Sequence, residues 1–327
     1  MTVKNAAWLP GLALAALHVP VTGIASATTA AAMPVDVSAY LGRWDLTLKS
    51  PEREYASWLE ITRRDEGIQA RLVSRWGHAR LLPRAELVNG GIRFVSPKEE
   101  EGRTDADMIF EGRLEGNVLV GNTSGPDGAP WSWRGERAPS LERVRAPKWG
   151  TPLSLFNGKD LDGWHSTDPG TANPWRVEGG TLASPGNGTD LVSDRTFGDL
   201  KLHVEFNCAP GSNSGVYLRG RYEVQIEDEP APDAPERRLG GIYGYLAPST
   251  PAERKAGTWR AYDITLVGRR VTVVLDGVTI IDDQEIPGIT GGALDSHEGL
   301  PGPIYLQGSE PGRVDFRNIS VTPALDN

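Results

Sequence analysis

The stretch Gly211-Ser-Asn-Ser-Gly-Val-Tyr-Leu-Arg-Gly-Arg-Tyr-Glu-Val-Gln-Ile-Glu-Asp228 places polar side chains on a β pattern that folding alone does not require. Tyr222, Val224 and Ile226 alternate with Glu223, Gln225 and Glu227, so one face of the strand is apolar and the other carries two carboxylates and an amide. Such groups exchange protons and orient hydroxyls. Just upstream, Val216 and Leu218 alternate with Tyr217 and Arg219, and Arg219-Gly220-Arg221 is the expected tight turn between two strands. Whether Arg219 and Tyr217 then face Glu223 and Gln225 depends on register, which the pattern leaves open. Two readings fit: a polar face built around a ligand, or an ordinary antiparallel pair with a solvated face.

The elements that must position this face are β-strands. Helical periodicity is scarce, and Gly (39) and Pro (25) recur between short β-type runs, which predicts an all-β protein. In the second half, strands are expected at Trp175 to Val177, Leu200 to Phe206, Gly215 to Leu218, Tyr222 to Ile226 and Arg260 to Val267. Four more follow at Val271 to Leu275, Val278 to Asp282, Ile304 to Gln307 and Val314 to Thr322, with Asp276-Gly277 as the strongest hairpin signal in the chain. So many short strands imply two packed sheets, whose concave face is where polar residues meet a ligand.

A boundary is expected in the Pro-containing polar stretch Glu136 to Trp149, with residues 141–150 as linker. Before it, residues 36–140 read as a small β-barrel or meander, with strands at Gly42 to Leu48, Ser57 to Thr62, Ile68 to Ser74, Ile92 to Val95, Met108 to Leu114 and Val118 to Gly121. Its Gly42-Arg43-Trp44 opening is loosely calycin-like. Trp44, Trp58, Trp76, Trp131 and Trp133 either form its core or line a sugar-stacking surface. His78 is expected to be exposed. Lys98-Glu-Glu-Glu101 reads as a solvated loop, with a carboxylate site for a hard cation as the alternative.

Residues 1–32 hold one charged side chain, Lys4, then the apolar run Trp8 to Val21 and small residues, which reads as a secretory signal peptide cut after Ala27 or Ala32. The expected location is periplasmic or secreted. The net charge is −9, and losing Lys4 with the leader takes it to −10. That balance argues against nucleic acid or anionic lipid as partner, and no segment predicts stable membrane insertion. Cys208 is the only cysteine, so neither an intrachain disulfide nor a cysteine-rich metal site is available. It is expected to be a small, semi-buried residue.

Seven motifs occur in order across about 150–323: Leu155-Phe-Asn-Gly-Lys-Asp-Leu-Asp-Gly-Trp164, Trp175-Arg-Val-Glu-Gly-Gly-Thr-Leu182, Ser212-Asn-Ser-Gly-Val-Tyr-Leu-Arg219, Tyr222-Glu-Val-Gln-Ile226, Leu275-Asp-Gly-Val278, Gly302-Pro-Ile-Tyr-Leu-Gln307 and Phe316-Arg-Asn-Ile319. In this the chain resembles the 3-keto-glycoside 1,2-lyase/3-keto-2-hydroxy-glucal hydratase (3-keto-disaccharide hydrolase) family. The resemblance implies a concanavalin A-like jelly-roll β-sandwich over 151–323, acting on sugars already oxidised at C3. The chain carries no dinucleotide fingerprint, so a separate C3 sugar oxidoreductase is the expected upstream partner.

The implied chemistry is elimination. A ketone at C3 acidifies the C2 hydrogen, a base removes it, the glycosidic oxygen leaves C1, and water can later add to the enone. On this resemblance Glu223 is the expected base, Arg219 stabilises the enolate, and His165 protonates the leaving group. Asn213 and Gln225 orient hydroxyls, with Tyr243, Trp164, Gln307 and Arg317 as further substrate contacts. A divalent metal ion polarising the ketone is the alternative cofactor, with Glu223, Asp228 and His165 as its ligands.

Plainer roles stand beside several of these. His203 and His297 read as surface residues, Tyr243 as loop packing, Arg317 as an ion-pair partner, and Trp164 as a seal on the sandwich. Relatives follow the Leu-Gln pair with an Asp-His turn, whereas this chain reads Leu306-Gln-Gly-Ser-Glu310. Either Glu310 or His297 substitutes, or the chemistry is altered, or activity is lost. The alternative class is therefore a non-catalytic, lectin-like carbohydrate-binding protein. A hydrolase of unoxidised glycosides comes third and needs two carboxylates roughly 5–10 Å apart.

Overall fold

Period-two burial governs most strands of the computed structural model, which describes residues 36–65, 67–168, 170, 172–184, 186, 188–228, 234–253, 255–308 and 311–325. The expected leader and the Ser309-Glu310 pair lie outside the described residues. Nine strands come first: β1 (Gly42–Lys49), β2 (Glu54–Arg64), β3 (Gly67–Val73), β4 (Arg80–Leu81), β5 (Arg84–Val88), β6 (Gly91–Ser96), β7 (Met108–Glu115), β8 (Val118–Ser124) and β9 (Pro130–Arg137). They form one antiparallel sheet in the order β4-β3-β2-β1-β9-β8-β7-β6-β5, and β5 returns beside β3, so the sheet curls into an almost closed barrel. Asn89 and Gly90 both have positive φ, the backbone that a two-residue hairpin turn between β5 and β6 requires.

The remaining strands make a sandwich: β10 (Leu153–Ser154), β11 (Trp164–Ser166), β12 (Arg176–Glu178), β13 (Thr181–Ser184), β14 (Leu191–Phe197), β15 (Leu200–Cys208), β16 (Asn213–Leu218), β17 (Tyr222–Glu227), β18 (Arg260–Val267), β19 (Arg270–Leu275), β20 (Val278–Glu285), β21 (Gly302–Leu306) and β22 (Val314–Pro323). One sheet runs β12-β13-β22-β15-β18-β19-β20 with β10 added on β22, and the other runs β11-β14-β21-β16-β17. This is an all-β, concanavalin A-like β-sandwich preceded by a small β-barrel.

Strand β2 belongs to both parts. Leu59 and Ile61 point into the barrel core with Trp44, Phe94, Phe110 and Trp133. Ala56 and Trp58, on its opposite face, join Val224, Ile242 and Ile289 in the core of the sandwich. Trp44, Trp58, Trp131 and Trp133 are therefore interior packing, and Trp76 alone of the five is well exposed. Two further expectations are corrected by this packing. Glu101 is wholly buried, its carboxylate accepting from Ser74 and Ser96 and paired with Arg80, so it is not a solvated cation ligand. His78 is half-buried, because Gly244 of a sandwich loop packs against it.

Candidate active site

The register between β16 and β17 pairs Asn213 with Glu227, Gly215 with Gln225 and Tyr217 with Glu223, so these six share one face. The same row continues across the sheet from Tyr217 to Tyr305, from Tyr305 to Val192 and from Val192 to His165. This face is not solvated. Every residue of β17 is buried on both sides, because the 239–246 loop pins itself to the strand through Gln225 N to Gly241 O, Gly240 N to Gln225 O (both 2.9 Å) and Tyr243 N to Glu223 O (3.1 Å).

Glu223 finds room because β16 carries glycine opposite. A side chain at Gly215 would overlap the Glu223 carboxyl, which occupies that space instead. Tyr217 Oη lies 2.9 Å from Glu223 Oε2 and 2.8 Å from Gly291 O. Burial, reinforced by the charge of Asp190, pushes the Glu223 pKa up to about 8, against the opposing pull of the Tyr217 hydroxyl. At neutral pH Glu223 is therefore mostly protonated. Turning the Gln225 amide so that its nitrogen faces Glu223 places a donor 3.2 Å from Oε1.

A second carboxyl lies on the other side of the tyrosine pair. Asp190 accepts from Tyr305 Oη at 2.8 Å and from Gly308 N at 2.9 Å. Burial raises its pKa from the ordinary aspartate value, and those two donors restrain the rise. The rings of Tyr217 and Tyr305 are stacked, 4.2 Å between centroids and 14° from parallel, so one aromatic pair carries both carboxyls.

Asp190 and Tyr305 border a cavity of about 720 Å³, within the size range of small-molecule sites, while Glu223 and Tyr217 are buried behind that wall. Asp190, Asn213, Tyr305 and Gln307 form its sandwich wall, and Gln307 Oε1 is buried without a partner among the described residues. The opposite wall comes from the barrel: Arg53, Tyr55, Arg75 and Trp76. A larger groove, about 900 Å³, lies between β1, β9 and the 296–299 loop. Of its two buried carboxyls, Glu298 is held by Arg269 and Tyr222, and Asp45 beside it is pushed well up by burial and the Glu298 charge, with no tyrosine pair to set it against a second carboxyl.

The structure thus brings together Glu223, Asn213, Gln225 and Gln307, with half-buried Tyr243 close enough for Glu223 to raise its pKa beyond what burial does. Other expected site residues are elsewhere. Arg219 has φ +53 in the turn, which breaks the alternation and sends its guanidinium to Tyr222 Oη (2.9 Å) and Gly268 O (3.1 Å), away from Glu223. His165 is exposed and bonded to Asp194 at 2.6 Å, and β11 stands four strand spacings from β17, roughly 19 Å. It cannot act on the same bond as Glu223.

Asp228 closes the far end of the hairpin, accepting from Gly211 N at 3.2 Å. Among the described residues no group of three or more His, Cys, Asp or Glu is placed to hold a metal ion, and Glu223, Asp228 and His165 do not converge. Trp164 is buried with Nε1 on Leu155 O. Arg317 lies on the other sheet, bonded to Glu205 and stacked on Trp259 at 3.9 Å. Cys208 is buried, and burial pushes its thiol up to about 12, which leaves it unreactive.

Asp190, Tyr305, Arg53, Tyr55 and Arg75 were not expected, whereas Trp76 stood among the tryptophans read as either core or a sugar-stacking surface. Tyr305 was legible, since it alternates with Gln307 on one strand. Asp190 sits in an irregular segment before β14 and carries no periodic signal.

The fold and this polar, carboxyl-bearing cavity define a β-sandwich protein of the carbohydrate-active, glycosyl hydrolase-like class. Residues 151–322 match the 3-keto-α-glucoside-1,2-lyase-like domain, and the chain belongs to that family. It is similar to a 3-keto-disaccharide hydrolase of Bacteroides thetaiotaomicron, 28% identical over 94 residues, a match spanning 26% of this chain and 32% of that protein. Among solved structures it is similar to a candidate glycosyl hydrolase from Parabacteroides distasonis (29% identity, 56% of this chain and 93% of that one, TM-score 0.45). A second from the same organism matches at 24% identity, 53% and 100% coverage, and TM-score 0.41.

Proposed function

We propose that this protein cleaves 3-keto-glycosides by elimination across C1 and C2, in the cavity between the barrel and the sandwich. The observation that carries the reading is the Tyr217–Tyr305 stack, which joins two carboxyls of raised proton affinity, Asp190 on the cavity wall and Glu223 buried behind it. Where two titratable groups sit in different environments, their proton affinities divide the roles. Glu223, with a pKa near 8, is the general acid at neutral pH. Asp190, whose two accepted hydrogen bonds favour its ionised form, is the base. This exchanges the role that the sequence suggested for Glu223.

In the reaction, the Asp190 carboxylate takes the C2 proton and the electron pair moves into the C3 ketone to form an enolate. Amide donors at Asn213 and Gln307 hold the sugar oxygens. The enolate collapses, the C1–O bond breaks, and the leaving oxygen takes the Glu223 proton. The product carries a C1=C2 double bond conjugated to the C3 ketone, and proton exchange with solvent returns both carboxyls to their starting states. Water addition across C1=C2 would follow as hydration. In this proposal the sugar oxidised at C3 comes from a separate oxidoreductase, and the reaction runs outside the cytoplasm, a reading supported by the leader-like composition of 1–32.

The test is incubation with a chromogenic 3-keto-glucoside and its unoxidised parent, with NMR of the products, in wild type, Glu223→Gln and Asp190→Asn. Release from the keto substrate alone, with the conjugated enone as first product and roughly 100- to 10,000-fold losses in both variants, is the expected result. Release from the parent sugar would replace elimination by hydrolysis. Saturable sugar binding without release would make the protein a lectin.

A further inference from the structure

The barrel wall of the cavity does something that the elimination chemistry does not require. Arg75 lies with its guanidinium carbon 3.5 Å from the Trp76 ring centre, and Trp131 and Tyr55 follow at 5.5 and 6.0 Å. Tyr55 is stacked on Trp131 at 5.2 Å, and Arg53 covers Tyr55 at 4.5 Å. Two guanidinium groups therefore flank one aromatic ladder at the cavity edge.

Neither Arg53 nor Arg75 forms a salt bridge with a carboxylate among the described residues. Arg75 gives Nη2 to the Glu101 carbonyl at 2.9 Å, and its Nε is buried without a partner. The neighbouring Glu54 is paired with Lys49. Burial and, more weakly, the like charge of Arg53 disfavour the charged Arg75 guanidinium, and an anion between the two would offset both. Trp76 is 44% exposed with one face under Arg75, so its remaining surface is open to a ring.

We propose that Arg53, Arg75 and Trp76 form a leaving-group subsite for a six-membered ring that carries a carboxylate. The carboxylate bridges the two guanidinium groups and the ring lies against Trp76. The glycosidic carbon stays against the Asp190 wall while the leaving group reaches the barrel. A carboxylated phenol and a uronic acid present the same chemistry. The placement of the leaving group rests on the elimination reading; the binding itself does not.

The experiment measures binding of free ligands by calorimetry, which needs no turnover. The probes are 4-hydroxybenzoate against 4-hydroxybenzamide, and glucuronate against glucose, with wild type, Arg53→Gln, Arg75→Gln and Trp76→Ala. Each carboxylate is expected to bind at least about tenfold more tightly than its neutral counterpart. Either arginine variant should remove most of that preference, and Trp76→Ala should weaken the preferred ring. Arg53 is exposed, so its variant keeps the test informative if Arg75→Gln misfolds. Tighter binding of the phenol or of the uronate identifies the source. Equal binding of charged and neutral probes, no binding, or a preference unchanged by both arginine variants overturns the subsite. If the preference holds while 3-keto-glucosides are not cleaved, the elimination reading fails alone. Cleavage that is blind to carboxylates on the leaving group, with no binding preference, fails the subsite alone.

Discussion

Tyr217 and Tyr305 stack at 4.2 Å on neighbouring strands, and each hydroxyl contacts a different carboxyl. The pair holds the two carboxyls to one face and tunes them in parallel, since each hydroxyl favours the ionised form of its partner. Tyr217→Phe should raise the Glu223 pKa further and leave Gly291 O without its donor, costing about 1–2 kcal/mol. Tyr305→Phe should raise the Asp190 pKa and move the acid limb of kcat/KM upward. Paired pH–rate profiles check both, and a variant whose limbs do not move would detach the tyrosines from the chemistry.

With Glu223 as acid, kcat/KM falls as pH rises through about 8. Glu223→Gln removes that limb as well as most of the rate. Stability follows the same proton. The folded-state pKa lies above the unfolded value, so the contribution is complete below about 4.3 and is lost as pH rises through about 8. Denaturant midpoints should decline between pH 5 and 9 in wild type, and the decline should be shallower in Glu223→Gln. A rate that rises through pH 8 would return Glu223 to the role of base.

The all-β fold was legible because alternation is written plainly in strands such as Leu200 to Phe206 and Val271 to Leu275, and because Asp276-Gly277 marks a turn whose two residues both adopt positive φ. The polar face of β17 was legible for the same reason. What alternation could not supply was any contact between distant segments. Strand β14 reads Leu-Val-Ser-Asp-Arg-Thr-Phe, with four polar residues in succession, and it was missed. Arg219 was misplaced because a positive φ at a non-glycine residue reverses the side on which a side chain emerges. Trp76 and Arg75 face the sandwich only through packing of the barrel on it, which no local pattern encodes.

Gly215 provides a sharper test of the site than removal of any polar group. Its backbone is ordinary β, so alanine is compatible with the strand, but the added methyl would overlap the Glu223 carboxyl. Gly215→Ala should reduce kcat by at least about 100-fold while circular dichroism stays that of the wild type and the melting temperature falls by a few degrees. Near-normal turnover would show that the Glu223 carboxyl does not work from this position.

Trp58 tests whether the barrel and the sandwich stand or fall together. It is fully buried, yet it leaves the barrel strand β2 toward the sandwich, where it meets Tyr245 edge-on at 5.6 Å and backs on Gly288. Replacing it by alanine empties a large volume at the junction, and such truncations cost about 3–5 kcal/mol. Because Trp58 belongs to the same continuous core as Val224 and Ile242, wild type should melt in one transition, with both parts reporting the same midpoint. Trp58→Ala should lower that midpoint and loosen the wall bearing Arg53 and Arg75, raising KM more than it lowers kcat. Differential scanning calorimetry reads the first effect and steady-state kinetics the second. Two resolved transitions in wild type would mean that the cavity lies between independently folding parts, and the coupling of Trp58 to KM would go with it.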